Sequence, residues 1–237
     1  MPQQLIFEWA RELPPAFENF LAGSNAEVIA HLRALAAGAH ADTSILIWGA
    51  PGSGKSHLLA ATVAAARARQ RHAAALSIED AEPGVIVPHA LYTIDDIDSL
   101  SPLAQGRLFT LYNACRDAGA KLLLSAAMPP AVAPLRDDLR TRVGWGLVLE
   151  LKPLPDADKP AALAAYASEQ GFRLGSEVID FLLTRGRRDM GALLATLRAL
   201  DRYSLSTKRP VTIPLVKELL QPELLHDIVV PAKAGTQ

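Results

Sequence analysis

The chain has 237 residues, half of them hydrophobic and 21% charged, with a formal net charge of -1 at pH 7. That balance suits a globular protein with room for one large or two small domains, and it argues against holding nucleic acid by bulk charge alone. One cysteine, Cys115, rules out an internal disulfide, and the sequence shows neither a secretory leader nor an apolar run long enough for a bilayer. The expected setting is a reducing cytoplasm, with no membrane partner.

In chain order, residues 1–20 carry bulky apolar side chains without period and then Pro14 and Pro15, which reads as a flexible tail able to dock elsewhere. From Asn25 the helical spacing of Val28, Ile29, Leu32 and Leu35 runs to Gly38. The run SILIW (44–48) predicts a buried strand, and HLLAATVAAARARQ an alanine-rich helix after a glycine-rich turn. Further strands are predicted at AAALSI, ALYTI (90–94), KLLLS (121–125) and LVLEL (147–151). Between them, Leu108, Leu111, Tyr112 and Cys115 share one helical face, which makes Cys115 a small core residue.

Strands alternating with helices predict an α/β fold, a parallel sheet with helices on both faces. After KPLPDAD the strand pattern stops, and four helical stretches predict a small all-helical lid domain. Asp156 or Asp158 is placed to cap the first of these and Gly171 to end it. The domain plan is therefore a tail over residues 1–20, a nucleotide-binding domain over 21–152, a lid over 153–222 and a disordered tail over 223–237.

The chemistry rests on Gly49, Ala50, Pro51, Gly52, Ser53, Gly54, Lys55 and Ser56, a full match to the GxxxxGKS phosphate loop, followed by His57. Glycines let backbone N–H groups turn inward around phosphate oxygens, and the following helix presents its positive end to the anion. Lys55 supplies a charge for the β and γ phosphates of ADP or ATP, and Ser56 a hydroxyl for Mg²⁺. A partner acid is needed at the end of a neighbouring strand. ALYTIDDID delivers Asp95 for the metal and Asp96 where a water-orienting acid belongs, unless both merely cap the next helix. Asp98 reads as surface or cap.

These features together resemble the AAA+ ATPases of the bacterial DnaA clade. The strings that carry the resemblance are GKSHLL, TIDDID, the Pro129-Pro130 pair after a strand, and DLRTRVGWGLVLEL. It covers about residues 20–221, without the initiator's DNA-binding domain or its long N-terminal domain. Little or no sequence-specific DNA binding is therefore expected, and a homo-oligomer stays open. The truncated plan, with its LKPLPDADKPAALAAYASEQ lid and QLIFEW tail, looks like the Hda type of regulator, which inactivates the initiator.

That resemblance implies a tail peptide, Gln4, Leu5, Phe7 and Trp9, that engages the DNA polymerase sliding clamp; the other reading packs the tail on its own domain. It also implies that Arg142, ahead of Gly144-Trp145-Gly146, is an arginine finger for ATP held by the DnaA initiator, with Arg140 as fallback; a surface ion pair is the other reading. Two departures weaken intrinsic hydrolysis. The lid position that commonly carries a phosphate-contacting arginine is Gly191, with Arg188 one turn earlier. The sensor place after the fourth strand holds Ser125, Ala126 and Ala127. The alternative is a self-hydrolysing AAA+ ATPase of the initiator or helicase-loader type.

Overall fold

The computed structural model describes residues 14–78, 84–185 and 190–219. They form two compact units that divide between Pro155 and Asp156. The first unit holds α1 (Ala26–Ala37), β1 (Ser44–Trp48), α2 (Lys55–Ala68), β2 (Ala73–Ala75), β3 (Leu91–Ile94), a 3₁₀ turn (Ile97–Ser99), α3 (Pro102–Asp117), β4 (Lys121–Ala126), α4 (Asp137–Gly144) and β5 (Leu147–Glu150). The second holds α5 (Lys159–Glu169), α6 (Ser176–Arg185), α7 (Met190–Thr207) and α8 (Ile213–Leu219).

The five strands are parallel, in the order β2-β3-β4-β1-β5. β1 therefore pairs with β4 and β5, and its sequence neighbour β2 lies at the edge. In open parallel sheets, ligands bind beyond the carboxyl ends of strands beside such a crossover. The expected α/β fold with a helical second part is what the chain adopts.

Alternation along the strands splits the core in two. Leu46, Leu122 and Leu124 point to the face covered by α3 and α4, against Leu108, Leu111, Leu139 and Val143. Ile45, Ile47, Leu91 and Leu123 point to the other, against Leu32 and Leu35 of α1 and Leu58 and Ala66 of α2. Because β1 and β4 are covered on both faces, their sequences are near-continuous apolar runs. Cys115 is buried in the first cluster, where burial pushes its thiol up to about 12.

Local chemistry sets the helix ends. Gly38 takes the left-handed conformation that closes α1, and Ala39 N–H donates back to Ala34 O at 2.9 Å. Ser101 caps α3 by accepting from Ala104 N–H at 3.3 Å, with Pro102 at the first helical position. Asn25 ties the start of α1 to the chain after β5, donating to Lys152 O at 2.9 Å and accepting from Lys152 N–H at 2.8 Å.

Five sequence expectations are corrected. Phe17 is buried in the α1–α2 cluster and Phe20 packs against it, so residues 14–20 belong to the first unit rather than to a free tail. The first unit also extends past residue 152, because Leu154 and Pro155 lie over Gly23. Only Ala73–Ala75 of AAALSI pairs as a strand, and α4 forms where no helix was predicted. In the second unit Asp158 stands ahead of α5 without a capping bond from its side chain, and Asp156 pairs with Lys159 at 2.6 Å. The core of that unit gathers Leu163, Val178, Leu182, Leu193, Leu197 and Val216.

Candidate functional site

The phosphate loop leaves β1 at Trp48 and is pinned at once to the next strand, with Gly49 N–H donating to Ala126 O at 3.1 Å. A Cβ on Gly49 would run into the Leu151 carbonyl oxygen, so only glycine fits where the chain leaving β5 passes. Gly52 and Gly54 have φ of 78° and 97°, the left-handed turns that let successive amides face one concavity. α2 starts directly after, leaving its first N–H groups without intrahelical partners. Lys55 is only 7% exposed, and its ammonium curls over the loop, 2.8 Å from Gly49 O and 3.4 Å from Ala50 O. Ser53 Oγ is buried without a hydrogen-bond partner. A glycine-lined concavity, a buried ammonium and an orphaned hydroxyl fit a polyphosphate.

The acids sit one strand further along. The Ser125 hydroxyl, fully buried on β4, donates to Asp95 Oδ1 at the end of β3. Asp96 N–H closes the triangle, 2.9 Å from Ser125 Oγ and 3.1 Å from Asp95 Oδ1. Ser125 thus orients Asp95, a role that the sequence reading, which saw only a missing sensor, did not anticipate. Asp96 stands at φ 46°, and burial first, then Asp95, holds its carboxyl above the usual range, with Asp98 adding to the shift and Lys55 opposing it. Asp98, read as surface or cap, accepts from Ala127 N–H at 2.9 Å, at the sensor place itself.

Among the described residues no cluster of three metal-ligating side chains occurs. Mg²⁺ does not need one, since it keeps water and phosphate oxygens and takes one or two protein oxygens. Exposed Ser56 and Asp95 are hard oxygen donors of that kind, and they fit it. His57, grouped with the loop from sequence, has its ring engaged elsewhere. Its Nε2 lies 3.0 Å from Ala16 O, and the ring packs at a 39° tilt against Phe20, 5.6 Å between centroids. Phe20 in turn lies on Gly54.

Arg142 is in the last turn of α4, its guanidinium 4.3 Å from the centroid of Trp145 and 5.8 Å from that of Phe109. Gly146 packs on Ser44, the first residue of β1, whereas the phosphate loop follows the last. The helix that carries the arginine therefore ends beside the start of β1, and the loop leaves the other end of that strand, about 15 Å on at roughly 3.3 Å per strand residue. Arg140, the fallback, is tied down by Asp137 at 2.9 Å and by the carbonyls of Leu135 and Ala133 at 2.8 and 3.3 Å. Gly191 lies in the first turn of α7. Gln4, Leu5, Phe7, Trp9 and Arg188 lie outside the described residues.

Residues 156–220 match the family model described as Hda, lid domain. In fold, the chain is similar to domain III of the Thermotoga maritima replication initiation protein DnaA, with 22% identity over 86% of this chain and 95% of that one and a TM-score of 0.70. AMPPCP-bound DnaA from Aquifex aeolicus matches at 21% identity over 79% of this chain and 65% of its own, with a TM-score of 0.64. The Thermotoga maritima RuvB Holliday junction branch migration motor matches at 18% identity over 86% and 70%, with a TM-score of 0.60. The chain therefore shares the fold of DnaA domain III, and its residues 156–220 are similar to the Hda lid domain.

Proposed function

We propose that this chain is a DnaA-related regulator of replication initiation that binds a nucleotide and lends Arg142 to ATP held by another subunit. The lid-domain match supports the class of protein. The single observation that carries the mechanism is the place of Arg142: near the far end of β1 from its own phosphate loop, and without a carboxylate partner among the described residues. An arginine so placed does not serve its own site and has its charge to spare. A guanidinium supplied in trans to a phosphoryl group being transferred is worth about 10³–10⁵-fold in rate.

In this reading ADP or ATP sits on Gly49–Ser56 and His57 flanks the loop from the side of the 14–20 segment. AMPPCP in an Aquifex aeolicus DnaA of the same fold supports an adenine nucleotide. Ser56 and Asp95 would hold Mg²⁺, which neutralises phosphate charge when bound. Lys55 leaves its two carbonyl acceptors for phosphate oxygens. The Gln4, Leu5, Phe7 and Trp9 peptide docks on the DNA polymerase sliding clamp, raising the local concentration of Arg142 near DnaA on replicating DNA. No described helix is long and apolar enough to cross a membrane, and the proposed workplace is the cytoplasm.

The test mixes this protein with ATP-loaded DnaA and DNA-loaded clamp. Hydrolysis accelerated only when all are present, and lost with Arg142→Ala or with the first twelve residues removed, is the expected outcome. A second reading, a self-hydrolysing ATPase, is favoured by the Ser125–Asp95–Asp96 triangle beside an intact loop. Turnover by this protein alone, abolished by Lys55→Ala, would establish it instead.

A further inference from the structure

We propose that Phe109 and Trp145 are positioning residues that present the Arg142 guanidinium to the partner's phosphate by its faces. The proposal rests on the reading of Arg142 as an arginine supplied in trans, and adds how its direction is set. Phe109 belongs to α3 and Trp145 directly follows α4, so the cradle is made by two helices that pack on the same side of the sheet. The guanidinium lies 4.3 Å from one ring centroid and 5.8 Å from the other, within the range of a cation–π contact.

The neighbouring arginines are held in another way. Arg140 uses its donor edge on Asp137, Leu135 and Ala133, Arg136 on Asp138, and Arg116 on Asp117. Their forks are already engaged. A ring face attracts the cation without accepting those N–H bonds, so a cradled guanidinium keeps its planar fork for phosphate oxygens and its full charge. The same stacking limits the rotamers of a long side chain, which lessens the ordering needed when the guanidinium engages the phosphoryl group in the transition state.

Two further features mark Trp145 as a fixed cradle wall. It is 61% exposed, unusual for the largest side chain, and its exposure is not relieved by the fold itself. Its backbone is anchored on both sides: Trp145 N–H donates to Arg142 O at 3.2 Å, and Gly146 is pressed on the Ser44 backbone too closely for any Cβ. The backbone that carries the indole is therefore held beside Arg142 by α4 on one side and β1 on the other.

The experiment uses the full chain in the stimulated-hydrolysis assay with ATP-loaded DnaA and DNA-loaded clamp, titrating Trp145→Ala, Trp145→Phe, Phe109→Leu and Arg142→Ala. Trp145→Ala should keep the melting temperature, since the ring is exposed. It should lower the maximal stimulated rate roughly three- to thirtyfold, the span of cation–π contacts between exposed and desolvated settings, with a half-saturating concentration unchanged within about twofold. Trp145→Phe should restore most of the rate, and Phe109→Leu should lower it less than Trp145→Ala does. In parallel, the Arg142 side-chain proton resonances should move downfield in Trp145→Ala as the ring current is removed. Loss of rate with Arg142→Ala but not with Trp145→Ala overturns the cradle alone. A rise in half-saturating concentration at constant maximal rate makes Trp145 a docking residue and also overturns it. Full stimulation by Arg142→Ala overturns the underlying reading and the purpose of the cradle with it.

Discussion

Phe20 lies so close to Gly54 that a Cβ there would stand 2.6 Å from Phe20 Cε2. The segment before α1 is thus fitted to the mouth of the phosphate loop, with His57 bonded to Ala16 O on the same strap. Gly54 answers to two demands at once, the ring above it and its φ of 97°. Gly54→Ala should cost about 1–2 kcal/mol from the left-handed backbone alone, and more from the ring. That is roughly a 2–8 °C fall in melting temperature. Adding Phe20→Ala should recover only the ring's share, which thermal melts of the single and double variants would measure.

Lys55→Ala should leave the fold intact and remove nucleotide. A hydrogen bond to a charged group contributes about 1.5–3 kcal/mol, so affinity for ADP should fall roughly 10- to 150-fold. Isothermal calorimetry with Mg²⁺ decides it. Affinity unchanged by the substitution would remove the loop from the function.

Ser125→Ala separates orientation from binding. Asp95 loses the donated hydroxyl but keeps Asp96 N–H, so stability should drop by about 1 kcal/mol. The expected signature is in the metal dependence: nucleotide affinity with magnesium should fall toward its value without, whereas the metal-free affinity stays put. Titrations in magnesium and in chelator read this directly.

Asp96 gives a pH-dependent prediction. Burial, and then Asp95, raises its carboxyl above the ordinary 3.8. A folded pKa above the unfolded one makes the ionised form unfavourable to the fold. That cost is in full force at pH 7, and it is relieved as pH falls through the folded value and is gone below 3.8. Asp96→Asn, which also suits a φ of 46°, should therefore melt above wild type at pH 7, with the gap closing near pH 4. Melting curves across that range test the sign. In the rival self-hydrolysing reading the same variant would lose turnover as it gains stability.

Much of the fold was legible because the burial pattern is local. SILIW and KLLLS each hold an unbroken apolar run since both faces of a central parallel strand are covered, and Gly38 marks a helix end that needs a left-handed residue. α4 was not legible: DDLRTRVG is charged, with only Leu139 and Val143 buried, so no apolar period announces it. Residues 14–20 looked like more tail for a related reason. Phe17 enters the core with only Phe20 packed beside it, and two anchors set no period.

The sequence by itself determined the phosphate loop, because GAPGSGKS is a contiguous stretch whose backbone freedom and charge are written in adjacent residues. It also placed Asp95 at a strand end and Arg142 before Gly144-Trp145-Gly146. Only the tertiary structure decided what surrounds them. Ser125 meets Asp95 from 30 residues away, Asp98 reaches Ala127 from 29, and Phe109 meets Arg142 from another helix. The physical reason is that hydrogen bonds and ring contacts between strands and helices depend on sheet order and register, which no single stretch of chain carries. The distance that keeps Arg142 from its own nucleotide loop is set in the same way, by the length of β1 and the strand beside it.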